Sequence, residues 1–340
     1  MSVMKRGPMI PFPDVPGIPR LTFRSFRGES DYPDMLSVLE ASKAADKDEW
    51  AVSLDDIARD YRHLRNCDPK TDMILAEVDN VLVGYGRTWW QDERVGDRIF
   101  SWFVNLHPDW RGKGIRLAML RWLEERARVA SDANPTEKGK LLESWASEHE
   151  EDARRVLEAA GYEVVRWGYE MTRSMAEEIA PAPLPEGIET RPVTDADAPR
   201  IFAAAHEAFA DHWGETEWFT EKDLDEWREG PLYNPAIWKV AFEGDEVVGM
   251  VLNFVNEKEN AEYNRKRGYT EAICVRRAWR GKGIAKALIT ESMLMHKANG
   301  MTETSHGVDA QNPTGALQLY EGLGYRAYKT AYTYRKPLGG

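Results

Sequence analysis

The segment Val275-Arg276-Arg277-Ala278-Trp279-Arg280-Gly281-Lys282-Gly283-Ile284-Ala285 joins a β-rich run to a helical one through a basic turn with two glycines. A turn of this kind leaves backbone N–H groups pointing outward at the positive end of a helix dipole. Glycine at such a place lets a ligand approach the chain closely. The chemistry it allows is anion binding, phosphate above all, and Arg280 and Lys282 add positive charge. A second copy stands upstream as Leu106-His107-Pro108-Asp109-Trp110-Arg111-Gly112-Lys113-Gly114-Ile115-Arg116. The copies are offset by 169 positions (281 − 112) in a chain of 340 residues, which marks a tandem repeat. Taken singly, either turn could be a plain tight connection. A nucleotide P-loop is excluded, because Gly281-Lys282 is followed by Gly283 rather than Ser or Thr. A dinucleotide fingerprint is excluded by the missing third glycine.

The flanking residues predict the elements that hold these turns. Thr270-Glu271-Ala272-Ile273-Cys274-Val275 and Phe100-Ser101-Trp102-Phe103-Val104-Asn105-Leu106 are rich in β-formers. After each turn apolar residues recur at helical spacing: Leu288, Ile289 and Met293 in one copy, Leu117, Leu120 and Leu123 in the other. Earlier, Met73 to Tyr85 reads as a hairpin with Asp79-Asn80 at its turn, matched by Trp238 to Gly249. Strand-like Thr22–Phe26 precedes a helix over Tyr32–Ala45, and Ile188–Val193 precedes one around Ala198–Ala210. Each half thus reads as strand, helices, antiparallel strands, glycine turn, helix: an α+β fold with mixed pairing.

Length and composition agree with two domains. Hydrophobic residues make up 42% and aromatics 11%, enough for two cores. The net charge of −12 and the absence of a basic stripe argue against nucleic acid as a partner. No stretch is apolar for long enough to span a membrane. The two cysteines, Cys67 and Cys274, have neither disulfide nor metal spacing, which fits a reducing cytoplasm. Residues 1–20 are proline-rich without an apolar core and read as an extended arm rather than a signal peptide. Pro181, Pro183 and Pro185 stiffen a linker over 177–187.

Arg280-Gly281-Lys282-Gly283-Ile284-Ala285 resembles the Arg/Gln-x-x-Gly-x-Gly/Ala signature of the GNAT superfamily of acyl-CoA-dependent N-acetyltransferases. Downstream, Val308-Asp309-Ala310-Gln311-Asn312-Pro313-Thr314-Gly315 and Leu319-Tyr320-Glu321-Gly322-Leu323-Gly324-Tyr325 are similar to that family's strand, Asn-led turn and helix ending in Tyr-Glu-x-x-Gly-Phe/Tyr. The resemblance covers nearly the whole chain and implies two tandem GNAT-like domains, each a central mixed, mostly antiparallel sheet flanked by helices. It places a degenerate domain at 21–176 and a catalytic one at 188–340.

The resemblance further implies an acyltransferase that moves acetyl from acetyl-CoA to a primary amine in a ternary complex. The pyrophosphate would lie on Arg280, Gly281, Lys282, Gly283, Ile284 and Ala285, with Asn312 nearby. The pantetheine arm would bond the strand end at Ile273, Cys274 and Val275. Tyr320 is the candidate acid for the departing thiolate. Glu271 is a candidate base, against the alternative of a solvated strand carboxylate. The family's glutamate base often lies two residues earlier, where this chain has Tyr269. The loop Phe209–Phe219 supplies candidate acceptor contacts in His212, Trp213 and Glu217. His212 has no partner at metal spacing, so no metal site is expected.

Aligning Gly161-Tyr162 with Gly324-Tyr325 sets Leu157 against Tyr320, His149 against Asn312, Arg116 against Ala285 and Trp102 against Glu271. The offset falls from 169 to 163 (324 − 161), so the first half carries six extra residues, expected in the polar loop Ser131–Lys140. Leucine cannot protonate a thiolate, so the chemistry is expected in the second half, with cofactor binding in the first left open. Two other readings stay open on sequence: a non-catalytic acyl-CoA-binding sensor or scaffold, and an acetyltransferase acting on peptide or protein amines.

Overall fold

The computed structural model describes residues 16–216 and 220–339. In chain order the elements are β1 (Leu21–Arg24), α1 (Tyr32–Asp46), α2 (Leu54–Arg62), β2 (Met73–Val78), β3 (Val81–Asp92), β4 (Arg98–Leu106), α3 (Ile115–Ala133), β5 (Lys140–Ser147), α4 (Glu151–Ala159) and β6 (Glu163–Ser174). The pattern then repeats as β7 (Ile188–Thr190), α5 (Ala198–Phe209), α6 (Glu221–Arg228), β8 (Lys239–Glu243), β9 (Glu246–Phe254), α7 (Glu257–Glu262), β10 (Arg267–Val275), α8 (Ile284–Ala298), β11 (Glu303–Asp309), α9 (Ala316–Gly322) and β12 (Arg326–Pro337). The arm expected over 1–20 lies largely outside the described residues, as does Glu217.

Two compact units result, one running through Arg166 and including Ala331 onward, the other spanning Trp167–Thr330. Residues 167–176 and 331–340 therefore belong to the unit opposite the one given by a division into 21–176 and 188–340. In the first unit β1, β2, β3 and β4 pair antiparallel in sequence order, β4 pairs β5 in parallel, and β5 pairs antiparallel with residues 331–337 of β12. In the second, β7 to β10 repeat that antiparallel order, β10 pairs β11 in parallel, and β11 pairs antiparallel with residues 168–174 of β6. Each sheet is thus mixed and mostly antiparallel, and each is completed by a strand from the other half of the sequence.

Both faces of each sheet are buried, which explains the near-continuous apolar runs. Along β2, Ile74 and Ala76 pack with Ile115, Leu120 and Leu157 of α3 and α4, whereas Met73 and Leu75 pack with Met35, Val38 and Ile57 of α1 and α2. In the second unit Val240 and Phe242 meet Ile201, Phe202 and Leu224 of α5 and α6, while Ala241 and Val248 meet Ile284 and Leu288 of α8. The first hairpin turns at Asp79 and Asn80 with φ of 54° and 65°, the left-handed pair of a type I′ turn. The six extra residues of the first half are not confined to a loop. Helix α3 has 19 residues against 15 in α8 (four more), and the segment before the next strand is 134–139 against 299–302 (two more).

The exchanged strand gives a direct test. Tyr334 of β12 is fully buried in the first unit's core, and Arg335 beside it bonds Glu143 and Glu93, each at 2.7 Å. Tyr334→Ala is expected to cost about 3 kcal/mol, lowering the melting temperature by roughly 6–12 °C. A shift below about 1 °C in thermal denaturation would show that the C-terminal strand does not complete that core.

Candidate active site

The second unit's site begins where two parallel strands separate. β10 pairs with β11 only from Arg267↔Glu303 to Tyr269↔Ser305. Beyond that point β10 carries a bulge against β9, its register slipping between Glu271↔Leu252 and Cys274↔Met250. Ala272 in the bulge has φ of 47°, a left-handed conformation that costs a residue with a Cβ. A bulge bends its strand and re-aims side chains. Here it leaves a cleft of about 560 Å³ between β10, β11, α8 and α9, within the range of small-molecule sites. Ile273, Cys274 and Val275 line it, as sequence expected, with Cys274 otherwise buried and its thiol pushed up to about 12 by that burial.

At one end stands the glycine turn. Gly281 and Gly283 adopt φ of 76° and 86°, and Gly283 caps α8. Side chains are strained there, so glycine is required. The Gly281 N–H meets no acceptor among the described residues, and Gly281, Gly283, Ile284 and Ala285 line the cleft, with Lys282 exposed beside them. Arg280 turns out to be committed elsewhere. Its guanidinium bonds Val275 O (3.0 Å), Ala208 O (2.7 Å) and Asp211 (3.0 Å), tying the strand end to the end of α5. Arg111 repeats this in the first unit, bonding Leu106 O and both oxygens of Asp46. This arginine is a clamp common to both copies.

At the other end lie the ionisable groups. Glu271 is half-buried, and its Oε1 accepts from Gly307 N (3.4 Å) across the strand opening. Burial, reinforced by the nearby Glu170 carboxylate against that weak N–H bond, pushes its carboxyl up to about 7. Tyr320 lines the same cleft from α9, and its hydroxyl has no partner among the described residues. Burial first, then the Glu271 charge, holds that hydroxyl well above its ordinary value, so it stays protonated. Tyr269, two residues before Glu271, is engaged with Glu259 and stacks on Phe254 at 4.7 Å.

The remaining expected residues divide. His212 reaches the cleft with its ring edge-on to Phe209 at 4.6 Å, while Trp213 is 42% exposed and lies outside the lining. Asn312 lines the cleft, but its Oδ1 accepts from Thr314 N (2.8 Å) and Thr314 Oγ1 (2.6 Å), so it also shapes the turn into α9. Sequence reading missed His306. It is buried on β11 with its ring 4.0 Å from the Tyr320 ring, its Nδ1 is 3.3 Å from Thr270 Oγ1, and burial holds it down to about 3, hence neutral. Strand alternation could have put it on one face of β11, but nothing in the sequence says that this face meets Tyr320.

The first unit has the same frame with different contents. Its β3–β4 ladder runs without a bulge from Gly84↔Leu106 to Asp92↔Arg98. The bulge shifts the register by one, so Phe103 (paired with Arg87), not the expected Trp102, stands where Glu271 pairs with Leu252. Trp102 answers to Thr270, is buried and donates to Tyr162 OH at 2.9 Å. Leu157, in Tyr320's place, is core. The matching cleft is about 70 Å³. Arg116, for which a phosphate grip was conceivable on sequence, is buried and bonded to Asp152 (2.7 Å) and Val104 O (2.7 Å).

Comparison with known proteins agrees with this frame. Residues 35–162 match the model described as Acetyltransferase (GNAT) family, and residues 234–327 match that of the Acetyltransferase (GNAT) domain. The chain is 31% identical over 264 residues, 77% of its own length and 79% of the relative's, to a mycothiol acetyltransferase of Streptomyces scabiei. Among solved structures, a GCN5-related N-acetyltransferase from Sphaerobacter thermophilus superposes with a TM-score of 0.72 at 25% identity, over 95% of this chain and 97% of that one. A tandem GNAT protein from the clavulanic acid biosynthesis pathway shares the fold, with a TM-score of 0.64 at 14% identity over 94% and 99% of the two chains. The two family matches fall on the two halves of the chain, each with its glycine turn on a helix: the chain belongs to the GNAT family of acetyltransferases, as a tandem of two such domains.

Proposed function

We propose that the second unit transfers the acetyl group of acetyl-CoA to a primary amine of a small molecule, by direct attack in a ternary complex. The observation that carries this reading is the pairing, in one cleft, of a carboxyl pushed up to about 7 (Glu271) with a tyrosine hydroxyl held protonated (Tyr320). Acetyl-CoA is the acyl donor of GNAT acetyltransferases. Its phosphates suit the outward N–H groups of the glycine turn. Its pantetheine amides suit the strand end of β10, whose partner strand has moved away. Relatives named mycothiol acetyltransferase support a small-molecule acceptor.

In the proposed reaction the amine nitrogen attacks the thioester carbonyl, forming the N–C bond as the C–S bond breaks. Glu271, directly or through a water, takes the proton the nitrogen loses. Tyr320 gives its hydroxyl proton to the departing thiolate. His306, neutral and against the Tyr320 ring, adds no charge beside it. His212 and Phe209 stand at the rim where an acceptor would enter.

Release of free CoA from acetyl-CoA with a panel of amines tests the activity; tight binding with no turnover across the panel would favour a sensor instead. Tyr320→Phe should lower kcat by about 10²- to 10⁴-fold with acetyl-CoA affinity unchanged. Undiminished turnover would remove Tyr320 from the mechanism. For Glu271 the sign of the pH effect is fixed. Its folded pKa lies above the ordinary 4.5, so its ionisation costs stability as pH rises from about 4.5 through 7. Glu271→Gln removes that cost, so the melting temperature of the variant relative to the parent should climb between pH 5 and pH 8. The parent's rate should rise with an inflection near 7, and the variant's should lose it. A parallel pair of melting curves across that range would refute the buried-carboxyl assignment.

A further inference from the structure

In the second unit the glycine turn and the strand end offer unpaired backbone groups to a ligand. The first unit has the same turn, with Gly112 and Gly114 at φ of 70° and 83°, yet its backbone groups are already taken. Asp152 Oδ1 accepts from Gly112 N at 2.9 Å, the N–H that matches Gly281. The other oxygen of Asp152 binds Arg116 Nε at 2.7 Å, and Arg116 Nη1 in turn donates to Val104 O at 2.7 Å, the carbonyl that matches Ile273. Both side chains are at least nine-tenths buried. Glu150, half-buried and accepting from Ser147 N (2.7 Å), brings another carboxyl to the same corner. The counterparts of Arg116 and Asp152 are Ala285 (285 − 116 = 169) and Gly315 (315 − 152 = 163), both lining the open cleft.

We propose that the first unit holds a latent acyl-CoA site closed by its own side chains: Asp152 stands in for the phosphate on the glycine turn, and Arg116 stands in for the donor that would bond the strand end. The chain accordingly binds one acyl-CoA, in the second unit. This rests on the reading of that unit's cleft as the acetyl-CoA site. The pair is self-consistent as a plug. A carboxylate satisfies the turn as an external anion would, and the guanidinium neutralises it, so neither charge is buried alone. An incoming phosphate would have to displace a hydrogen-bonded carboxylate and sit beside Glu150.

Isothermal titration of acetyl-CoA into the full chain should give one site per chain. The double substitution Arg116→Ala with Asp152→Gly installs the residues of the open cleft and removes both charges together; it should raise the count by one. A parent that binds two equivalents overturns the proposal, as does a folded double variant whose count stays at the parent's. A parent that binds none defeats the acetyl-CoA reading of the second unit alone, and the double variant still gains a site if the plug is real. Hydrogen exchange on the parent gives a test independent of the variant's folding. Saturating acetyl-CoA should leave the amides of residues 111–116 unchanged while those of 280–285 gain protection; new protection at 111–116 overturns the plug.

Discussion

Two parallel strands that stop pairing part-way along leave backbone N–H and C=O groups that something else must satisfy. That constraint governs both halves of this protein. In the second unit β10 and β11 part after Tyr269↔Ser305, and a bulge at Ala272 turns β10 away. Side-chain contacts from Thr270 to His306 and from Gly307 N to Glu271 bridge the start of the gap, beyond which lies a cleft of about 560 Å³. In the first unit β4 and β5 part after Ser101↔Glu143, but the opening is filled from within by Trp102, Leu157 and the Arg116–Asp152 pair. One topology thus yields an open site or a closed one, depending on who satisfies the backbone.

The parts common to both units are those that hold the opening in place. An arginine at the foot of the turn, Arg111 or Arg280, ties the strand-end carbonyl to an aspartate at or just past the end of the unit's first helix, Asp46 or Asp211. Charge-assisted, multiply bonded contacts of this kind fix geometry more than they attract ligands. The arginine of the signature thus sets where the glycine turn sits, while also lining the cleft. The low-dielectric wall of the cleft then does the electrostatic tuning. Burial acts on Glu271 and Tyr320 alike, raising both, and the outcome differs by residue type. A carboxyl near 7 can exchange protons at neutral pH, while a phenol raised further keeps its proton until a stronger base appears.

Much of this was legible in the chain. The glycines at 112, 114, 281 and 283 announced positive φ and a helix start, because only glycine takes that conformation without strain. Asp79-Asn80 announced a hairpin, and the apolar periodicities gave the order of strands and helices in each half. Leu157 in the place of Tyr320, and an apolar residue in the place of Glu271 (Trp102 by offset, Phe103 by strand register), announced which half keeps ionisable groups, since residue type alone decides whether a proton can move. Family membership followed from the same residues.

Other features depended on contacts between residues far apart in sequence. Nothing local marks β6 and β12 as exchanged between the two halves, because two antiparallel strands of 12 residues each fit either neighbour. The bulge at Ala272 has no glycine to signal it. Nothing local shows that Arg116 and Arg280 are ion-paired; only the fold brings them to Asp152 and Asp211. His306 became visible as a neighbour of Tyr320 only when β11 and α9 were packed together. Sequence by itself determined the repeat, the family and the half that keeps the ionisable residues, because those rest on residue identity and local backbone geometry. Tertiary structure alone decided which backbone groups remain unpaired, and hence which of the two glycine turns is free to hold a ligand.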